Sequence, residues 1–117
     1  MARLLVVEDE WIVAEYYAMT LREANHSVVG PYATVREALA ALDSNHIDAA
    51  VLDVQLRNET SYPVAEKLAQ MGIPFVFLSG YDERVLPPTL LGNRVLSKPV
   101  EPSGLLAAAE RMTPARH

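Results

Sequence analysis

Residues 49–56 read AAVLDVQL, an unbroken apolar run from Ala49 to Leu52 that stops on the carboxylate of Asp53. A run of that length without polar alternation is what a strand covered on both faces looks like. Shorter or similar runs stand on either side: Leu4 to Val7 and Val28-Val29 before it, Phe75 to Leu78 and Val95-Leu96 after it. Five such segments, alternating with helix-capable stretches at intervals of roughly 20 to 25 residues, argue for an α/β chain with a parallel sheet covered on both faces. Right-handed crossovers then leave few topologies. The doubly wound order 2-1-3-4-5 puts a site outside the carboxyl ends of the strands, at the switch between the first and third.

The stretches between the runs carry helix signals. Ile12 to Ala24 can turn Val13, Tyr17, Leu21 and Ala24 inward, with Glu15 and Arg22 on the other side. Thr34-Val35-Arg36-Glu37 has capping-box spacing, Thr34 accepting from the amide of Glu37 while Glu37 reaches back, and opens a helix through Leu42. A third helix is expected from Pro63, as its first residue, to a stop at Gly72, and a last one from Ser103 to about Met112. The segment Tyr81 to Gly92 is the weak element, because Pro87-Pro88 falls inside it and an interior proline costs about 3 kcal/mol. It is expected to be a weak or irregular fourth helix. The tail from Thr113 to His117 is expected to fray.

Composition narrows the function. At 117 residues, half of them apolar, the chain reads as one domain with no output domain. A net charge of −5 gives no electrostatic reason to expect nucleic acid or an anionic membrane as partner. The absence of cysteine excludes disulfides, thiolate metal sites and a thiol nucleophile. The first apolar run ends in Glu8-Asp9-Glu10, too soon for a signal or a membrane span, so a cytoplasmic protein with proteins and small ions as partners is expected.

In that topology four separated features converge at the carboxyl ends of strands: Glu8 and Asp9 after the first, Asp53 after the third, Ser79 after the fourth, Lys98 after the fifth. Carboxylates about 5 Å apart at an effective dielectric near 20 repel by about 3 kcal/mol per pair. Something positive must sit among them, or a carboxyl must stay protonated. An all-oxygen site with several carboxylates suits Mg2+. Lys98 offers a flexible point charge and Ser79 a hydroxyl donor for an incoming phosphoryl group on Asp53, and Gly80 leaves space beside Ser79. A carboxylate nucleophile, a metal, a lysine and a hydroxyl suffice for phosphoryl transfer, which needs mainly positioning and charge compensation. Taken singly, Glu8-Asp9-Glu10 reads as an acidic helix start, Asp53 and Ser79-Gly80 as turn residues, and Lys98-Pro99 as a solvated lysine before a loop. Only their shared register outweighs those readings. His26, His46 and His117 lack metal-ligand spacing and are assigned no role.

At these residues the chain resembles the receiver domains of bacterial response regulators, over essentially its whole length, through VVEDE (6–10), AAVLDVQL (49–56), FLSG (77–80) and LSKPV (96–100). The resemblance implies a flavodoxin-like fold, Asp53 as phosphoacceptor, and Glu8, Asp9, Asp53 and the backbone carbonyl of Gln55 as ligands of Mg2+. It further implies Ser79 and Lys98 as the conserved hydroxyl and lysine, and a cis peptide bond between Lys98 and Pro99. A histidine kinase or phosphotransfer protein is then the donor, a downstream protein the recipient of the signal, and self-phosphorylation and self-dephosphorylation the only chemistry. PFVFLSGY (74–81) resembles more narrowly the Pro-Phe-x-Phe-Ala-Thr-Gly-Tyr signature of single-domain alphaproteobacterial receivers, which act in stress-response or metabolic relays.

Two departures stand out. Val95 replaces the usual aromatic three residues before the lysine, which leaves Ser79 and Tyr81 to carry the switch, and Arg57-Asn58 replaces the usual Pro-Gly after the acceptor. The competing readings are a Mg2+-dependent phosphohydrolase with an aspartyl-phosphate intermediate, a pseudo-receiver that is never phosphorylated, and the receiver fragment of a longer regulator. The hydrolase normally carries Asp-x-Asp after the first strand and a cap insertion, and neither is visible here.

Overall fold

The computed structural model describes residues 2–80 and 94–113. In chain order the elements are β1 (Arg3–Val7), α1 (Trp11–Glu23), β2 (Ser27–Tyr32), α2 (Val35–Ser44), β3 (Ala49–Asp53), β4 (Gln55–Leu56), β5 (Glu59–Thr60), α3 (Tyr62–Gln70), β6 (Phe75–Ser79), β7 (Val95–Ser97) and α4 (Pro102–Met112). Five strands pair in parallel in the order β2-β1-β3-β6-β7, which is the doubly wound, flavodoxin-like order expected from the apolar runs. Central β3 is buried at every position, whereas the edge strands β2 and β7 are only partly covered.

Side chains alternate between two separate cores, as the two-residue period of a strand requires. Leu5, Val7, Leu52 and Phe77 pack with Ala38, Leu42, Val64 and Leu68 of α2 and α3. Leu4, Val6, Val51 and Leu78 pack on the other face with Tyr17, Leu21, Leu105 and Ala109 of α1 and α4. Covering both faces is why these strands read as unbroken apolar runs. Val95 packs on the α2–α3 side.

The helix ends follow the sequence signals with small shifts. Thr34 caps α2, its hydroxyl oxygen accepting the amide of Glu37 at 3.1 Å. Glu37 reaches back to the Thr34 hydroxyl at 3.0 Å. Helix α1 starts at Trp11 rather than Ile12, and α4 at Pro102 rather than Ser103. Pro63 is the second residue of α3, not the first; Ser61 is the cap residue, and an amide is equally dispensable at either position. Helix α3 ends in a Schellman motif, with Ile73 N–H donating to Leu68 O and Gly72 N–H to Ala69 O. The fourth-helix expectation for Tyr81 to Gly92 lies outside the described residues.

Two glycines bear on stability in different ways. Gly72 has φ +73° with open space where a Cβ would stand, whereas Gly30, at φ +102°, would put a Cβ 2.8 Å from Tyr32 N and 3.0 Å from Val6 O. Gly72→Ala is therefore expected to cost about 1 kcal/mol, the left-handed penalty alone. Gly30→Ala adds a backbone clash and is expected to cost at least twice as much in urea unfolding.

The hairpin β4–β5 was not legible in the apolar pattern. Its two strands pair antiparallel, Gln55 with Thr60 and Leu56 with Glu59, around a turn in which Asn58 takes φ +64°. The Gln55 side chain donates to the carbonyls of Leu56 and Glu59, both at 3.2 Å. Thus the Arg57-Asn58 departure marks the tight turn of the hairpin that follows the strand bearing Asp53.

Candidate phosphoacceptor and metal site

Parallel pairing brings the strand ends to one edge. Asp53 is registered beside Leu78, and Ser79 beside Ser97. Glu8 and Asp9 leave β1 next to β3, and the Lys98 amide donates to the Ser79 carbonyl at 2.9 Å. The result is a cavity of about 260 Å³ lined by Glu8, Asp9, Glu10, Asp53, Gln55, Leu56, Ser79, Gly80 and Lys98. Every site residue expected from the sequence within the described residues lines it, except Val95, which packs under the sheet. Tyr81 lies outside the described residues. Glu10 and Leu56 also line the cavity; nothing in the sequence singled out Leu56, because the hairpin that brings it there left no periodic signal. The Lys98–Pro99 bond is cis, and so is Gly30–Pro31.

Glu8, Asp53 and Ser79 are almost fully covered, at 3%, 5% and 4% exposure. One carboxylate oxygen from each of Glu8, Asp9 and Asp53 lies within 4.8 Å of the others. Lys98 answers the repulsion directly: its Nζ is 2.9 Å from Asp53 Oδ1 and 3.2 Å from Glu8 Oε1. Glu8 Oε2 also accepts the Glu10 amide at 3.2 Å.

These surroundings shift the protonation equilibria. Burial, reinforced by the Asp53 charge, pushes Glu8 up to about 7 despite the Glu10 amide and Lys98. Burial likewise raises Asp53, with Lys98 opposing. Burial pulls the Lys98 ammonium down, but its hydrogen bonds and charge pairing with Asp53 and Glu8 prevail and hold it above the ordinary lysine value. Both resolutions of the crowded carboxylates are therefore present: a cation among them, and a carboxyl that takes up a proton near neutrality. A tight cluster of oxygen donors with one coordination side open to a polar cavity fits Mg2+, which keeps waters and binds phosphate oxygens.

The raised Glu8 pKa has a stability consequence. A carboxyl whose folded pKa lies near 7, above its unfolded value of 4.5, adds stability that is full below pH 4.5 and lost as pH rises through 7. The difference amounts to about 3 kcal/mol. In metal-free buffer the parent is expected to lose about that much more than Glu8→Gln between pH 5 and pH 9. Denaturant titrations at each pH measure it, and the subtraction cancels the opposite contribution of His26, whose pKa burial lowers.

The family model for the response regulator receiver domain matches residues 4–110. SdrG from Sphingomonas melonis Fr1, solved in solution, is 38% identical, with 96% of each chain covered and a TM-score of 0.81. TrrA from Thermotoga maritima, a response regulator solved in complex with Mg2+-BeF, superposes with a TM-score of 0.83 over 96% of this chain and 99% of that one, at 20% identity. The regulatory protein VanR of Enterococcus faecium is 28% identical over 109 residues, 90% of this chain and 47% of that protein. The chain thus spans about half the length of that curated relative.

Proposed function

The chain belongs to the response regulator receiver domain family, and on that premise we propose that Asp53 accepts a phosphoryl group with Mg2+ assistance and so switches the surface shown to protein partners. The observation that carries this reading is the Lys98 ammonium 2.9 Å from the Asp53 carboxylate, beside an acidic cluster whose oxygens lie within 4.8 Å of one another. Glu8, Asp9, Asp53 and the Gln55 carbonyl would hold Mg2+, which supplies charge neutralisation for phosphoryl oxygens.

The chain's own residues do the rest. Asp53, held at a strand end in a cavity open to solvent, is the nucleophile: its carboxylate oxygen bonds to phosphorus as the bond to the donor's leaving group breaks. Lys98 and the Ser79 hydroxyl then neutralise and hold the phosphoryl oxygens, and Gly80 leaves the approach unobstructed. Because Lys98 bridges Asp53 and Glu8 beforehand, moving it onto a phosphoryl oxygen changes what the end of β7 contacts. With Val95 under the sheet instead of an aromatic, Ser79 and the segment from Tyr81 onward carry the change. The donor is a histidine kinase or phosphotransfer protein, and the narrower likeness in PFVFLSGY supports a stress-response or metabolic relay inside the cytoplasm. Among the described residues no helix is long and apolar enough to cross a membrane.

Metal binding is testable through Trp11, the first residue of α1, which is 74% exposed and two residues from Asp9. Millimolar Mg2+ is expected to change Trp11 emission saturably and to raise the melting temperature, since a ligand that binds only the folded state stabilises it. Asp9→Asn is expected to lose both effects. Incubation with Mg2+ and a small acyl-phosphate donor then tests transfer: the mass of the intact chain should rise by one phosphoryl group, and an unchanged mass would refute the reading.

A further inference from the structure

Gln55 stands two residues after Asp53 and lines the acidic cavity, yet it belongs to a hairpin of only two residues per strand. Isolated two-stranded hairpins are marginal in water, so something outside the hairpin must fix its position. Leu56, buried at 2% exposure, is one anchor. Glu59 is another, and it is held at both ends. Its main chain pairs with Leu56, and its carbonyl accepts the Gln55 side-chain amide at 3.2 Å. Its carboxylate crosses to a different element and accepts the backbone amide of Val35 at 3.1 Å.

Val35 is the first residue of α2, where an amide has no partner inside the helix and the helix dipole favours a negative charge. Helix α2 is itself immobilised on the sheet through Ala38, Ala41 and Leu42. A carboxylate outside the cavity therefore ties the loop carrying Gln55 to the body of the fold. We propose that Glu59 is a positioning residue for the metal site: clamped on the amide of Val35, it holds the Gln55–Leu56 strand against the acidic cavity, so that Mg2+ affinity depends on a side chain that does not line it. This rests on the reading of the cavity as a Mg2+ site.

The test is a Mg2+ titration of the full chain by calorimetry and Trp11 emission, in the parent and three variants. Glu59→Ala is expected to weaken Mg2+ binding roughly tenfold, as loss of a group that orients a ligand does. Glu59→Gln keeps an oxygen that can accept the Val35 amide and is expected to bind within about twofold of the parent. Thr34→Ala removes a different cap from the same helix, the bond to the Glu37 amide, and is expected to leave Mg2+ affinity unchanged. Coupling must also run in reverse, so Mg2+ is expected to slow hydrogen exchange of the Val35 amide in the unmutated chain. Parent-like affinity in Glu59→Ala, equal weakening in Thr34→Ala, or unchanged Val35 exchange at saturating Mg2+ would each overturn the proposal while leaving the metal site intact. A parent chain that binds no Mg2+ would overturn the site reading and this one with it.

Discussion

Lys98→Met is expected to destabilise the metal-free protein by about 3 kcal/mol at pH 8, the low end for removing one partner of a buried ion pair because the lysine side chain is 31% exposed. The substitution keeps most of the aliphatic stem and removes only the charge that stands between Glu8 and Asp53. Those two carboxylates are then left facing each other, and one must stay protonated for the fold to persist. The loss is therefore expected to shrink below pH 7, where Glu8 is already neutral. It is also expected to shrink in saturating Mg2+, and Lys98→Ala should bind the ion at least as tightly as the parent, with one competing positive charge fewer. Denaturant unfolding with chelator and with Mg2+ measures both. Equal stability of parent and variant in chelator would mean that the ion pair contributes nothing.

Asp53→Asn is expected to have the opposite combination of effects. It is expected to abolish phosphoryl acceptance, because the amide has no nucleophilic carboxylate oxygen and Glu8 and Asp9 are assigned to holding the ion. It leaves the metal-free protein at least as stable as the parent at pH 8, because burial already raises the Asp53 pKa and the charge is held there against that penalty. A residue whose removal preserves or raises stability while ending function is the signature of a site kept for chemistry. Intact mass after incubation with a donor, beside a melting curve in chelator, reads both. A labelled Asp53→Asn, or one that melts well below the parent, contradicts the assignment.

Much of this was readable from residue order because the fold's strongest signal is local. Strands covered on both faces must be apolar at every position, so Leu4–Val7, Ala49–Leu52 and Phe75–Leu78 stand out, and a parallel sheet then fixes which chain ends meet. Glu8-Asp9, Asp53 and Ser79 follow those runs directly, and Lys98 stands two residues past the shorter run Val95-Leu96, so finding the strands located the residues. Edge strands are harder. Strand β2 extends to Tyr32, well past Val28-Val29, because an edge tolerates Pro31 and incomplete burial that erase the apolar pattern. The hairpin at Gln55–Thr60 was invisible for a different reason: two-residue strands have no measurable period, and the bond that anchors them joins Glu59 to Val35 across 24 positions. The Lys98 bridge to Glu8 is similarly tertiary, spanning 90 positions, and no spacing in the sequence encodes it.

Phosphoryl transfer is expected at one carboxylate, Asp53, and only with the acidic pair and Mg2+ in place. The most direct test is to treat the protein with a small acyl-phosphate donor and Mg2+, reduce the acyl phosphate with borohydride, and sequence the peptides by mass spectrometry. Reduction converts a phosphorylated aspartate to homoserine, so the chemistry records the site. Homoserine at position 53 alone, absent when Mg2+ is chelated, is the predicted result. Conversion of Asp9 or reduction at Glu8 instead, or equal conversion at position 53 without the ion, would contradict it.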